Sequence, residues 1–230
     1  MLKVAESAAP VACWSCSVTH DESVLFCPHC NKIQPPPGGN YFSVFGIEPR
    51  LGLDLEMLER EFHKLSRRLH PDRFARASAN EKEWSLADTA LLNDAYRTLR
   101  DPIRRTEYLL KLHGAEIGEE HAGKGRTDPS RVPPDLLEEV FDLNMQLEEM
   151  RANQKMGDDD PALKQDLVNA KQKFDGLLSD VDDDLRAQGQ AWDDGDETAR
   201  EVAQKKMIAL LDRRRYLNNL VREVTETLGA

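Results

Sequence analysis

Leu55, Leu58, Phe62, Leu65 and Leu69 recur at helical spacing, and the pattern runs straight into His70-Pro71-Asp72. That spacing predicts one buried face of a helix. Pro71 must end it, because proline has no N–H to donate and disfavours helical geometry at the residue before it. Asp54 stands where an N-cap is needed. A second stripe, Trp84, Ala87, Leu91, Ala95 and Leu99, follows Ser78–Glu81, which has the spacing of a capping box. Asp101-Pro102 then places a cap and a first-turn proline at the start of a short further helix. Two long helices with such stripes are expected to pack as an antiparallel hairpin, one end closed by Tyr41, Phe42, Val44, Phe45 and Ile47. Trp84 and Tyr96 are read as core. The stop between the helices leaves a polar His70 and Asp72 in an exposed loop beside Arg67, Arg68 and Arg73, the makings of a docking element.

Residues 13–30 hold all four cysteines, as Cys13, Cys16, Cys27 and Cys30. Two residues between paired cysteines let both sulfurs face one ion from a tight turn, and two such turns complete a tetrahedral four-sulfur site. Structural Zn²⁺ is the expected cofactor. Iron in a rubredoxin-like site satisfies the same spacing. A disulfide framework is disfavoured by the lack of a secretion signal. A redox dithiol lacks the surrounding βαβ pattern. His29, inside the second pair, is expected to face solvent. So short a segment has little core, so the ion would supply most of its folding energy, on the order of 10 kcal/mol.

Composition divides the 230 residues into four stretches. Residues 1–39 form the cysteine module and a Pro/Gly linker, 40–113 the helical hairpin, 114–134 a Gly- and Pro-rich linker, and 135–230 three long amphipathic helices. Their stripes include Leu136, Val140, Phe141, Leu143 and Leu147; Leu163, Leu167, Ala170, Phe174, Leu177, Val181 and Leu185; and Met207, Leu210, Leu217, Val221, Val224 and Leu228. The fold class expected is all-α: a hairpin and a three-helix bundle, preceded by a small four-cysteine metal-binding module of zinc-ribbon or rubredoxin-like type.

The formal net charge is −11, and residues 114–230 carry 16 Lys/Arg against 27 Asp/Glu. Such a field repels nucleic-acid phosphates. No apolar run reaches the roughly 18 residues of a membrane span. Met1–Ala12 lacks the marks of a secretory or transit peptide, so the cytoplasm is expected, or the mitochondrial matrix for a processed eukaryotic form. No phosphate-cradling loop or nucleophile constellation is present, Gly123-Lys124-Gly125 lacking P-loop spacing. The chain is therefore expected to act on other proteins and not as an enzyme.

Asn40-Tyr41-Phe42, Phe45-Gly46-Ile47, Leu69-His70-Pro71-Asp72-Arg73-Phe74, Leu92-Asn93-Asp94-Ala95-Tyr96 and Leu99-Arg100-Asp101-Pro102 together resemble a J-domain. With the Arg-Phe after the tripeptide, the helical C-terminal segment and the four-cysteine start, the chain resembles the HscB-type J-domain co-chaperones of iron–sulfur cluster assembly. The resemblance implies two partners. One is a DnaK/HscA-type ATPase chaperone, met by His70, Pro71 and Asp72 and by a basic helix face of Arg60, Lys64, Arg67 and Arg68. The other is an IscU-type scaffold protein, met by Leu143, Asn144, Leu147, Glu148, Met150, Arg151 and Tyr216. Asn144 and the order of Glu149 and Met150 depart from the family pattern. Two other readings compete: a general J-domain protein with a different client, and a zinc-ribbon interaction module.

Overall fold

The computed structural model describes residues 11–20, 24–117 and 133–229. The early part of the chain, most of the linker expected at 114–134, and Gly123-Lys124-Gly125 lie outside them. The chain divides into two compact units, Met1–Ala115 and Glu116–Ala230. Almost all regular structure is helical, as the stripes require.

The first unit opens with a two-stranded ribbon, β1 (Val11–Ala12) paired antiparallel to β2 (Thr19–His20). A one-turn helix, α1 (Tyr41–Val44), follows, capped by the Asn40 side chain. Then come α2 (Leu55–Leu69), a short 3-10 turn at Pro71–Phe74, α3 (Ala79–Arg100) and α4 (Pro102–Leu112). Each cap expected from the sequence forms. Asp54 accepts from the Met57 amide, Ser78 and Glu81 close a reciprocal capping box, and Asp101 accepts from the Ile103 and Arg104 amides. Phe42, Leu58, Leu69, Leu92, Leu99, Leu109 and Leu110 are fully buried. Phe62 stacks on Tyr96 at 4.1 Å between ring centres, and Tyr41 stacks on Tyr108, whose hydroxyl accepts the Tyr41 amide at 2.8 Å.

The buried face of α3 is rotated from the expected stripe. It runs through Glu81, Ser85, Asp88, Leu92, Ala95 and Leu99, while Ala87 is exposed and Trp84 only half-buried. Hydrogen bonding explains the rotation. Arg73 N donates to the His70 carbonyl at 2.9 Å, so the Leu69 carbonyl at the end of α2 loses its helical donor. Ser85 Oγ donates to that carbonyl at 2.6 Å, with Thr89 Oγ1 at 3.4 Å. A buried, unmet carbonyl costs about 1–3 kcal/mol, more than alanine gains by exclusion from water.

The second unit is a bundle of α5 (Leu137–Met156), α6 (Pro161–Asp194) and α7 (Glu197–Leu228). Asp160 and Asp196 cap α6 and α7, and Gly157 ends α5 in the left-handed conformation. Its core comprises Val140, Leu143, Leu147, Met150, Leu163, Leu167, Phe174, Val181, Met207, Leu211, Leu217, Leu220 and Val224. Asp135 and Arg213 form a two-pronged pair at 2.8 and 3.0 Å that ties the entrance of α5 to α7. The guanidinium hydrogen bond holds the Asp135 carboxyl below the ordinary range.

Asp88 is wholly buried, and neither carboxylate oxygen has a hydrogen-bond partner. Burial alone raises its carboxyl from 3.8 to about 7. The folded chain keeps this proton where the unfolded chain has lost it, so stability falls as pH rises from about 4 to about 7 and stays low above. Asp88→Asn should therefore stabilise the first unit at pH 8 by on the order of 2–4 kcal/mol. The gain should vanish towards pH 4. Thermal melts of both chains across that range check it.

Candidate functional site

Three surfaces carry the residues singled out above. The first is the tip of the hairpin. His70 closes α2 with extended backbone and Pro71 starts the 3-10 turn. The His70 ring Nδ1 accepts the Asp72 amide at 3.3 Å and lies 3.5 Å from Asp72 Oδ2. Both side chains are exposed. The ring is thus oriented by its own loop, with Nε2 left to meet a partner. On α2, Arg60 pairs with Glu56 at 3.7 Å and Lys64 with Glu61 at 3.0 Å. Both pairs are solvent-exposed and worth under about 1 kcal/mol, so either cation is readily exchanged to another carboxylate. Arg67 is exposed and has no ion-pair partner among the described residues. Arg68 differs. Its guanidinium lies 3.9 Å above the Phe26 ring, and its Nη2 donates to Asn31 Oδ1 at 2.6 Å. The basic face read from α2 is therefore divided: Arg60, Lys64 and Arg67 face outward, and Arg68 is engaged within its own unit.

The second surface is the cysteine cluster. The four Sγ atoms lie within 4.8 Å of one another. Cys13 and Cys30 are 3.6 Å apart, and Cys16 and Cys27 are 3.7 Å apart. All four are free of disulfides. A tetrahedral ion with sulfurs at about 2.3 Å places its ligands about 3.8 Å apart, so the spacing fits. Each pair sits on the same kind of turn. Ser17 N donates to the Cys13 carbonyl and Asn31 N to that of Cys27, both at 2.9 Å, and both residues adopt positive φ, 60° and 58°. The Ser15 amide and Gln34 Nε2 each donate to Cys13 Sγ at 3.4 Å, the partners a thiolate wants. Crowding splits the titrations. Burial resists ionisation at Cys13, but the Cys16 and Ser15 amides and the neighbouring sulfurs outweigh it and bring the thiol to about 6. At Cys16 the Val18 amide favours the thiolate, yet burial and three adjacent sulfurs push it up to about 12. A divalent cation removes this conflict, since it lets four thiolates coexist. Cys13, Cys16, Cys27 and Cys30 would hold it with no open position, a structural and not a catalytic arrangement. His29 is exposed, as expected.

The third surface is on the bundle. Leu143, Leu147 and Met150 are at most 2% exposed, and Tyr216 is buried too. They fill the space between helices and present nothing to a partner in this structure. Arg151 is turned to α7, donating to Glu223 at 2.8 Å. Asn144 and Glu148 are exposed. The exposed apolar stripe on α5 lies elsewhere, at Leu137, Phe141 and Met145, which are 54%, 65% and 57% exposed. These residues stand four apart on one line, with exposed Glu138, Asp142 and Glu149 beside them. One signal for them was present in the sequence. Phe141 directly follows Val140 and stands about 100° further round the helix, and the structure turns Val140 into the bundle but leaves Phe141, expected in the same stripe, facing outward.

A scan of protein-family profiles gives no match. Individual proteins do match. The mouse iron–sulfur cluster co-chaperone protein HscB is 32% identical over 224 residues, covering 95% of this chain and 83% of that protein. This chain belongs to the HscB co-chaperone family. The human protein of that name is 36% identical over 165 residues, 70% of this chain and 65% of the human one. A Vibrio cholerae HscB homologue is 39% identical over 113 residues, 49% of this chain and 62% of that protein. Among solved structures, human HscB matches with a TM-score of 0.65 at 26% identity, covering 94% of this chain and 98% of that one. Vibrio cholerae HscB matches with a TM-score of 0.59 at 28% identity, covering 81% and 96%. Iron–sulfur cluster co-chaperone is thus the family role, a non-catalytic one. No helix among the described residues of this HscB-family chain is long and apolar enough to cross a membrane.

Metal analysis of the purified chain should find about one divalent ion per molecule. Native thiol titration should read few reactive cysteines until a chelator is added, and Cys27→Ser should lose the ion. Four freely reactive thiols in a folded, metal-free module would contradict the assignment.

Proposed function

We propose that this chain stimulates the ATPase of a DnaK/HscA-type chaperone through His70-Pro71-Asp72 and delivers to it an IscU-type iron–sulfur scaffold protein held on the bundle. The observation that carries this reading is an exposed, self-oriented His70 and Asp72 at the stop of a helix whose outward cations are Arg60, Lys64 and Arg67, in a chain of the HscB family. The basic face suits an acidic groove on the chaperone and speeds encounter. Pro71 sets the angle at which the tip leaves α2. His70 offers a polar contact, and Asp72 suits a charge-assisted pair with a partner arginine. The scaffold surface we assign to Leu137, Phe141 and Met145, an exposed apolar line with an acidic rim, the anatomy of a specific interface. The acidic rim favours a scaffold face that is basic. The cysteine module holds Zn²⁺ structurally. The protein works wherever its chaperone and scaffold do, in the cytoplasm or the mitochondrial matrix.

Two measurements test this. His70→Gln should abolish stimulation of the chaperone's steady-state ATP hydrolysis without changing the thermal melt. Asp72→Asn should reduce it at least tenfold, since truncating one partner of a buried charge pair costs about 2–5 kcal/mol. Stimulation retained in both variants would refute the docking role.

Phe141→Ala should weaken scaffold binding by about 30-fold or more, as loss of an aromatic anchor does. Stability should stay within about 0.5 kcal/mol, because the side chain is exposed. Leu147→Ala should do the reverse, costing about 2–5 kcal/mol of bundle stability. Calorimetric titration and denaturant melts separate the two. Unchanged scaffold affinity in Phe141→Ala, with ATPase stimulation intact, would favour a J-domain protein with another client.

A further inference from the structure

The second cysteine turn touches both helices that carry the docking loop. Its apex residue, Asn31, donates its backbone N–H to the Cys27 carbonyl, and the Lys32 carbonyl accepts the Cys27 amide, both at 2.9 Å. The backbone at Cys27 therefore fixes the positions from which the Asn31 and Lys32 side chains leave the turn. Asn31 Oδ1 accepts Arg68 Nη2 at 2.6 Å, while Phe26, just before Cys27, lies under the same guanidinium at 3.9 Å. Lys32 Nζ lies 3.3 Å from Glu81 Oε1. Arg68 stands two residues before His70 at the end of α2. Glu81 is the capping-box residue at the start of α3 and accepts the Ser78 amide and hydroxyl. The first turn adds a third tie, since Trp14 meets Trp84 edge-on at 5.7 Å and donates to the Ile33 carbonyl. The module thus grips the hairpin on both sides of residues 70–78, at the two helix ends from which the tip is suspended.

We propose that Asn31 and Lys32 are positioning residues for the His70-Pro71-Asp72 tip, and that the metal-loaded cysteine module sets the tip's order through them. This deepens the chaperone-docking reading and rests on it for its functional consequence. Arg68 serves the grip, so the docking face narrows to Arg60, Lys64 and Arg67. Loss of the metal is felt at the tip as well as in the module, because the turn that aims Asn31 and Lys32 is built on Cys27.

Hydrogen exchange on the full chain tests the physical claim without any chaperone, so it stands or falls separately from the docking role. Asn31→Gly keeps the left-handed turn and removes only the acceptor. Asn31→Asp restores an acceptor for Arg68. With metal content unchanged at about one ion per chain, Asn31→Gly combined with Lys32→Ala should speed amide exchange across residues 66–81 about fivefold or more. Residues 41–47 and 102–112 should keep wild-type protection, and Asn31→Asp alone should match wild type throughout. Stripping the metal with a chelator should speed exchange in both 11–37 and 66–81, and adding Zn²⁺ back should reverse both. In the ATPase assay the double variant should lower maximal stimulation about threefold, by loss of preorganisation. Unaltered protection at 66–81 in the double variant, or a chelator effect confined to 11–37, would overturn the proposal. So would equal loosening in Asn31→Asp, or an increase spread evenly over the first unit.

Discussion

The Leu69 carbonyl is the point on which the first unit turns. A helix that stops at a proline leaves its last carbonyls without donors. Here the next available amide, that of Arg73, turns back to His70 to form the 3-10 turn. The orphaned carbonyl must then be met by α3, and Ser85 and Thr89 meet it. One hydrogen bond thereby sets the rotation of α3 about its axis and locks the register of the hairpin. It also leaves His70 and Asp72 outside the helical ladder, exposed and able to orient each other. The interruption that ends the helix is also what presents the tip.

That constraint explains which parts of the fold could be read from residue order. Capping is local, so Asp54, Ser78–Glu81 and Asp101 marked helix starts that the structure reproduces. The rotation of α3 is not local. Apolar periodicity favoured Ala87, but the carbonyl 16 residues before Ser85 demanded a polar side chain at that turn. Asp88 was carried into the interior with it, a charge-bearing residue that no hydrophobic pattern would select. On α5 the difficulty is opposite. The apolar residues are plentiful, and only the neighbouring helices decide that Leu143 and Leu147 are interior while Phe141 and Met145 face outward.

The cysteine spacing was legible for the same reason as the caps. Two residues between sulfurs is a local geometric statement, and two such turns brought together give sulfur separations that suit one ion. What the module rests on was not legible. The contacts of Phe26 and Asn31 with Arg68 and of Lys32 with Glu81 join residues tens of positions apart. None of these side chains is unusual for a solvated surface. Arg68 illustrates the point, because its helical position placed it with Arg60, Lys64 and Arg67, and only the folded chain shows that an aromatic ring and an amide already hold it.

The division into two compact units has a thermodynamic corollary. The buried Asp88 and the cysteine module bear on the first unit, whereas the core beneath α5 belongs to the second. Substitutions more than about 10 Å apart with no shared partners add in free energy. A loss of stability in one unit therefore need not be read as a loss in the other. On the proposed function, tethering a chaperone and a scaffold on one polypeptide would raise their mutual effective concentration. On that reading the chain's contribution would be to hold two partners at once, and the packed core within each unit is what would make that holding specific.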